Sequence, residues 1–315
     1  KALWPRRELM NLHSTHPTWT AHHPINPGDP VKLMGLQVGC RTVMIYSPQD
    51  LSCHWEANQP TRGVSKRAFE LGENLIAYGT GKIRPQPRLT PIEIAGERKP
   101  ASKPNKRGYL QAGQLVVNRE NFPAPQAMNN LLEHVHKVAG IDVFLRTDAI
   151  TFGQPNDLLR TKLLYMHGRK EFDVKSDQLE TLRFNLENGG LLFADACCGN
   201  TDFDRSFRRF VQDLFPKEKL VVLSTDPQSR DPVYGEKLNG AAITSVKCRT
   251  KPNGALQEMP PHLEGIRVNG RWVVLYSKYD IGCALERNSS PDCVGYDHAS
   301  ALKLATVAVL YHVRP

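Results

Sequence analysis

The sequence predicts an α/β fold with a doubly wound, mostly parallel sheet over residues 112–315, preceded by a partial second copy of the same domain. Two observations indicate this. Apolar strand-like runs alternate with amphipathic helical patterns through residues 163–215, and the segment at residues 33–56 recurs at residues 263–286. Alternation of this kind is typical of a sheet whose two faces are both covered by helices.

The stretch from Leu163 to Phe215 shows the alternation most clearly. Ser176 is a suitable N-cap for the first helix, which carries leucines at i, i+3 and i+7 and ends at the glycine pair 189–190. The strand Leu191–Ala194 has no polar face, so both of its faces are expected to be buried. A second amphipathic helix follows and ends near Phe215. The stretch is therefore a β-α-β-α unit.

The repeat aligns Leu33–Glu56 with Leu263–Glu286 at a constant offset of 230, and 10 of its 24 positions are identical. Two flanking matches extend it: Ala68–Tyr78 with Ala301–Tyr311, and Trp4–Pro5 with Phe215–Pro216. A repeat of this length indicates a duplicated domain. We interpret residues 1–81 as the C-terminal half of a first copy, residues 82–111 as a linker and residues 112–315 as a complete second copy.

Local signals agree with this organisation. Asn269-Gly270 lies between two alternating runs and predicts a type I′ hairpin turn. Residues 114–119 are predicted to form the strand that opens the second copy.

Half of such a domain cannot cover its own sheet. We therefore expect the chain to be a fragment of a longer, two-copy protein, with Val43, Ile45, Leu75 and Ile76 packed against something outside residues 1–81. The expected partner is the missing upstream half of the first copy or another protein subunit.

The net charge of +9 is concentrated in one segment. Residues 82–107 carry a net charge of +6 together with five prolines, which predicts a solvated, extended linker. The segment has no interleaved aromatic residues and no recognition motif accompanies it, so no nucleic-acid partner is expected. No apolar run reaches the ~20 residues that a transmembrane helix needs.

The segments YMHGR at 165–169, LRFNLENGGLLFADACCG at 182–199 and FDRSFRR at 203–209 are similar to a bacterial family catalogued as domain of unknown function 4159. That family is grouped with the class I glutamine-amidotransferase-like α/β folds. The resemblance covers residues 112–315 and implies a flavodoxin-like layered fold without a known activity. It leaves the localisation unknown, with the bacterial cell envelope or periplasm as the candidate for the full-length protein.

Polar side chains follow three of the predicted strands. In open α/β sheets, ligands bind outside the carboxyl ends of the strands, which meet at one edge. The residues at these three strand ends are His167 and Arg169, then Asp195, Cys197 and Cys198, then Tyr279 and Asp280. We expect a single polar crevice there, lined by His167, Asp195, Cys198, Tyr279 and Asp280.

Two functions remain open for this crevice. The resemblance implies a cysteine nucleophile on a strand–turn–helix elbow, so Cys197, Cys198 and His167 are the catalytic candidates of a hydrolase or amidotransferase-like enzyme. However, Ala196 falls in the nucleophile register, and no His-x-Glu pair follows near the C-terminus. The first prediction is therefore a non-catalytic binding or assembly module of a larger bacterial protein.

In the binding module, Asp195, Arg169, Tyr279 and Asp280 are the expected ligand-binding residues. Asp195 has an alternative role as the cap of the helix that follows it. No cofactor is predicted.

The seven cysteines form no C-x-x-C pair, which gives no signal for a zinc ribbon. Whether Cys283 pairs with Cys293 is left open by the sequence. Histidines cluster near the start, at positions 13, 16, 22 and 23, and such a set is able to ligate a transition metal. Since His16-Pro17 aligns with Asp226-Pro227 of the second copy, a structural loop is favoured over a metal site.

Overall fold

The computed structural model describes residues 8–26, 31–38, 41–61, 63–81, 110–117, 123–141, 143–145, 149–235, 242–288 and 290–313. They divide into two compact units, one within residues 1–108 and the other mainly within residues 109–315. Cys40 and most of the predicted linker lie outside the described residues. Leu110 and Gln111, assigned above to the linker, belong to the first strand of the second unit.

The first unit contains a small sheet and two helices. Its elements are β1 (Met10–Asn11), β2 (Met34–Val38), β3 (Arg41–Tyr46), α1 (Ser52–Glu56) and α2 (Gly63–Thr80). The strands lie in the order β1-β2-β3, and β1 pairs antiparallel with β2. A core of Trp19, Leu33 and Leu71 holds the helices and loops to the sheet.

Apolar side chains of the first unit fall into two groups. Ile45 and Leu75 pack against the Trp19 core within residues 1–81, and not against a segment outside it as was predicted for them. Val43 is 46% exposed and Ile76 is 67% exposed, so the burial predicted for these two side chains is not present in this chain. That another segment or subunit covers them stays a prediction.

The second unit is larger and begins with β4 (Leu110–Gln114), upstream of the predicted strand at 114–119. Its helices are α3 (Ala127–Ala139), α4 (Pro155–Arg160), α5 (Ser176–Glu187), α6 (Thr201–Leu214), α7 (Pro232–Gly235), α8 (Gly282–Leu285) and α9 (His298–Val313). Its further strands are β5 (Val143–Leu145), β6 (Leu163–Gly168), β7 (Leu191–Ala196), β8 (Val221–Val222), β9 (Val246–Arg249), β10 (Gln257–Met259), β11 (Glu264–Val268), β12 (Arg271–Ser277) and β13 (Gly295–Tyr296).

Seven of these strands form one mixed sheet in the order β5-β4-β6-β7-β12-β11-β8. The first five run parallel to one another, whereas β11 pairs antiparallel with β12, and β8 pairs antiparallel with β11 at the edge. The hairpin between β11 and β12 turns at Asn269 and Gly270, both with positive φ as a type I′ turn requires. A separate small sheet has the order β10-β9-β13.

Helices pack on both faces of the large sheet. Successive residues of β6 alternate between two buried clusters: Leu163 and Tyr165 pack with α3 and α9, and Leu164 and Met166 pack with α5 and α6. Burial on both faces explains why β6 and β7 read as continuous apolar runs. The second unit is therefore an α/β domain with a mixed sheet. Within the described residues, no helix has the length and apolar character needed to cross a lipid bilayer.

Candidate functional site

The carboxyl ends of three adjacent strands bring the predicted polar residues together. β6, β7 and β12 are parallel neighbours, and Asp195 on β7 lies opposite His167 on one side and Ser277 on the other. Because parallel strands end at the same edge, the loop after β12 folds back over these residues. The prediction that this edge gathers His167, Asp195 and Asp280 matches the geometry.

Asp195 is fully buried and accepts four hydrogen bonds. The donors are Tyr165 Oη at 2.6 Å, His167 Nδ1 at 3.0 Å, Ile281 N at 2.7 Å and Gly282 N at 3.1 Å. A buried carboxylate is tolerated when its lone pairs are satisfied in this way. Asp195 therefore links two strands to the loop after β12.

The alternative role suggested for Asp195, capping the next helix, is wrong. Asn200 caps α6, since its side chain accepts hydrogen bonds from the backbone N–H groups of Asp202 and Phe203. Asn200 directly precedes the helix, whereas Asp195 lies within β7, too far upstream to reach the helix N-terminus.

His167 and Asp195 form a buried charge pair. Burial is the largest single effect and opposes a charge on the imidazole. The charge of Asp195, its hydrogen bond and the charges of Asp280 and Cys198 together outweigh burial and raise the pKa of His167 to about 9. Burial likewise opposes the charge of Asp195, yet His167 and the hydrogen bonds from Tyr165 and Ile281 hold the pKa of Asp195 below its ordinary value. At neutral pH the pair is an imidazolium beside a carboxylate.

Asp280 joins the loop after β12 to the turn after β7. Its side chain is buried and accepts the N–H groups of Cys198 at 2.6 Å and Cys283 at 2.9 Å. Burial, followed by the negative charge of Cys198, raises the pKa of Asp280 well above its ordinary range. Through these hydrogen bonds Asp280 holds the backbone of Cys198 and Cys283 in place.

The turn after β7 has an unusual backbone. Ala196 is the last strand residue, with extended dihedrals (φ −85°, ψ 116°). Its assignment to the nucleophile register of the related fold stays a prediction. Cys198 has φ 52° and ψ 28°, a left-handed conformation that is rare for residues other than glycine. Gly199 follows with φ 62°, and a Cβ there would lie 2.9 Å from Val294.

Cys198 is the sulfur of this turn that favours ionisation. The thiols of Cys197 and Cys293 donate hydrogen bonds to it, and the positive charges of Arg169 and His167 add to their effect. Despite partial burial, these interactions lower the pKa of Cys198 to about 4. The pKa of Cys197 is raised well above its ordinary value, mainly by burial. That of Cys293 is raised by its hydrogen bond to Cys198 and by burial.

The remaining cysteine of the group does not titrate. Cys283 is disulfide-bonded. Its sulfur also lies 3.7 Å from that of Cys197, which carries a free thiol and is not its disulfide partner. Cys293 carries a free thiol, so the pairing of Cys283 with Cys293 that the sequence left open does not occur.

The predicted crevice is a nearly closed cluster. His167, Asp195 and Asp280 are each less than 5% exposed, because the backbone at Ile281 and Gly282 lies directly against them. Cys198 and Arg169 are the half-buried members.

Tyr279 does not join this cluster in the described contacts. Its ring packs edge-on against those of His262 and Tyr296, at 5.8 Å from each. The sequence analysis placed Tyr279 in the lining of the crevice as a ligand-binding residue. Its ring contacts do not support that placement.

Two residues that the sequence analysis missed complete the site. Tyr165 lies two positions before His167, on the same face of β6, so the period of a strand gave a usable signal for it. Cys293 lies in the loop between α8 and β13, where no periodic pattern indicates direction, and its thiol reaches Cys198 only through the fold.

A metal ion fits this cluster less well than a thiolate does. The sulfurs of Cys198 and Cys293 and a carboxylate oxygen of Asp280 lie within 4.8 Å of one another, with Cys283 as the fourth member of the set. Structural zinc sites use four ligands. Because Cys283 is disulfide-bonded and Asp280 accepts two backbone N–H groups, the set falls short of this number.

The N-terminal histidines do not form one ligand set in the first unit. His16 Nε2 bonds Thr42 Oγ1 at 2.9 Å, and burial lowers the pKa of this histidine to about 4. His13 Nδ1 bonds Thr15 Oγ1 at 2.9 Å. The loop role predicted for His16 agrees with these contacts. His22 and His23 lie beside Glu73 instead.

The fold and the cluster define an α/β domain whose polar residues gather where parallel strands end. Residues 109–313 match the sequence profile of the family described as "Domain of unknown function (DUF4159)". This match covers more than half of the chain, and the chain belongs to that family.

Other comparisons add little detail. No curated protein matches the chain. Among solved structures, the chain is similar to a "Putative thua-like protein" from Bacteroides uniformis ATCC 8492, with 11% identity and a TM-score of 0.34. The alignment covers 67% of this chain and 95% of that one.

Proposed function

We propose that the second unit is a thiol-dependent enzyme of the hydrolase or amidotransferase type, in which the thiolate of Cys198 attacks a carbonyl carbon. The observation that carries the proposal is the position of Cys198 in a left-handed turn between β7 and α6. A nucleophile on such a turn is held away from the strand and directed toward the solvent side. The proposal includes a glutamine-amidotransferase-like fold for this unit.

The surroundings of Cys198 support a nucleophilic role. A thiolate is the reactive form of cysteine, and positive charges, thiol donors and a helix N-terminus all stabilise it. Arg169 and His167 supply the charges, and α6 begins three residues after Cys198. Asp195 orients His167, and Asp280 holds the backbone N–H of Cys198.

The reaction needs no group beyond the thiolate and water. Attack on the carbonyl forms a carbon–sulfur bond, and the bond to the amine or alcohol leaving group breaks as that group takes up a proton from water, which leaves hydroxide for the next step. Water then hydrolyses the thioester, which releases a carboxylic acid and restores the thiolate. The positive charge of the half-buried Arg169 acts on this sulfur and lowers its pKa, and we expect the same charge to favour substrates that carry a negative charge.

A non-catalytic binding or assembly module is the second candidate. The burial of His167, Asp195 and Asp280 favours it, because substrate has access only from the side of Cys198 and Arg169. In that case the buried pair stabilises the fold, and the turn at Cys198 presents a surface to a partner.

We also infer that the first unit is related to the second by duplication. In the first unit Met10 pairs with Gly35 and in the second Val221 pairs with Gly265, at positions that the repeat aligns. The N–H of Thr42 donates to Tyr78 Oη at 3.1 Å, and the N–H of Trp272 donates to Tyr311 Oη at 2.9 Å. Asp50 and Asp280 each accept from the third residue that follows, Cys53 and Cys283 respectively.

Amide hydrogen exchange tests the duplication. We expect the amides of Thr42 and Trp272 to exchange slowly, since each donates to a tyrosine hydroxyl of its own unit. Tyr78→Phe should speed exchange at Thr42 alone, and Tyr311→Phe at Trp272 alone. A response at only one of the two amides would contradict the inference.

Thiol alkylation tests the proposed function in the full chain. At about pH 6, Cys198 is expected to react with iodoacetamide roughly tenfold faster than the exposed Cys53, because its larger thiolate fraction outweighs its lower intrinsic nucleophilicity. Near pH 9 the order should reverse, since Asp50 raises the pKa of Cys53 and that thiol ionises only in alkali. Peptide mapping by mass spectrometry measures both rates in one sample.

The same experiment separates the two candidate functions. A Cys198 rate that rises with pH in parallel with that of Cys53 would show that Cys198 is an ordinary thiol, and the nucleophile proposal would fail. A pH-independent Cys198 rate should be accompanied by a stoichiometric acetylation burst with p-nitrophenyl acetate, absent in Cys198→Ser and retained in Cys53→Ser. Fast alkylation without acetylation would favour the binding module.

A further inference from the structure

We propose that His22, His23 and Glu73 of the first unit form a binding site for a divalent transition-metal ion of the zinc type. The site is independent of the function proposed for Cys198, since it uses different residues in a different unit. It combines two imidazoles and one carboxylate, a ligand set that suits Zn²⁺ and Cu²⁺ and is poorly suited to Ca²⁺ or Mg²⁺.

The three ligand atoms converge on one point. Nε2 of His22 lies 3.5 Å from Oε2 of Glu73, and Nε2 of His23 is in hydrogen-bond contact with the same oxygen. All three atoms lie within 4.8 Å of one another. Zinc ligands at their usual bond lengths stand roughly 3–3.6 Å apart in tetrahedral geometry, so an ion requires only small side-chain movements.

A buried amide holds the two histidines in place. Asn74, which is fully buried on α2, accepts the backbone N–H groups of His22 at 2.8 Å and His23 at 2.6 Å. Its side-chain NH₂ donates to the carbonyl of His23 at 2.8 Å. Because Glu73 is the neighbouring residue on the same helix, one short segment positions all three ligands. Such preorganisation lowers the entropy lost when an ion binds.

The site is accessible and has room for further ligands. The side chains of His22 and His23 are 29% and 27% exposed, and that of Glu73 is 54% exposed. Three protein ligands leave at least one coordination position for water or for a group from another molecule, as in open zinc sites. The geometry therefore indicates an exchangeable site, in contrast to a closed structural one.

Calorimetric titration of the full chain with Zn²⁺ tests the site, after its accessible thiols are alkylated so that they do not compete for the ion. One binding event per chain is expected. His23→Gln and Glu73→Gln should each weaken it by at least about tenfold, since even the loss of an outer-shell partner has an effect of this size. His13→Gln is the matched control, because His13 is an exposed histidine that bonds Thr15. Its affinity should equal that of the wild type.

Co²⁺ absorption provides a second measurement. The alkylated protein should show d–d bands without a sulfur charge-transfer band, and these bands should disappear in His22→Gln. Absence of Zn²⁺ binding in the wild type, or equal affinity in all four proteins, would overturn the proposal. Equal melting temperatures of the variants without metal would show that the substitutions leave the fold intact.

Discussion

Asp195→Ala is expected to lower the free energy of unfolding by about 3–5 kcal/mol, the usual consequence of removing one partner of a buried ion pair. The substitution leaves the imidazolium of His167 without its counter-charge in a buried site. It also removes the acceptor of the Ile281 and Gly282 N–H groups. Urea unfolding measures the loss, and Asp213→Ala, an exposed position on α6, should change stability by less than about 0.5 kcal/mol.

The size of this loss depends on pH with a defined sign. The pKa of His167 is raised to about 9 in the folded protein, so the stabilisation by the pair is fully present below the unfolded histidine pKa of about 6.5. It is lost as pH rises through about 9. The difference between wild type and Asp195→Ala should therefore be larger near pH 6 than near pH 9.5. A difference that grew with pH would contradict the assignment of charges.

Phe207→Ala is expected to reduce stability by a similar amount, about 3–5 kcal/mol. Phe207 is fully buried, and its ring stacks on that of Tyr276 with centroids 4.2 Å apart. Truncation removes this contact and leaves a cavity between α6 and the sheet. Phe184→Ala is the matched control, since Phe184 is 59% exposed and should contribute less than about 0.5 kcal/mol. Equal losses in both variants would show that α6 does not pack as described.

The sequence allowed the central part of the fold to be predicted because its signals are local. β6 and β7 are continuous apolar runs, α5 ends at a glycine pair, and the Asn269-Gly270 turn has the required positive φ angles. The opening strand was placed four residues too late, since β4 is short and follows a segment without periodic pattern. The antiparallel position of β8 at the sheet edge depends on long-range pairing that no local pattern encodes.

The site was predictable only as far as strand ends determine position. His167, Asp195 and Asp280 were placed together by the rule that parallel strands end at one edge. The closure of the crevice was not predicted, because it depends on the path of the backbone at Ile281 and Gly282. The proposal of Cys198 and not Cys197 as the nucleophile also depends on the backbone dihedral angles of Cys198, which the sequence does not show.

The pairing of β7 with β12 at the centre of the sheet has a consequence for how the chain folds. Residues 197–270 separate the two strands. Pairing the strands therefore closes a long loop, and the entropy lost in closing it is offset only once the contacts between the strands have formed. Topologies with such distant pairings fold slowly, whatever their final stability. Asp195 obtains its Ile281 and Gly282 donors only after β12 docks, so the strand ends acquire their finished arrangement late in folding. Substitutions within residues 197–270 that leave the native contacts unchanged therefore act on the rate at which the native conformation is reached.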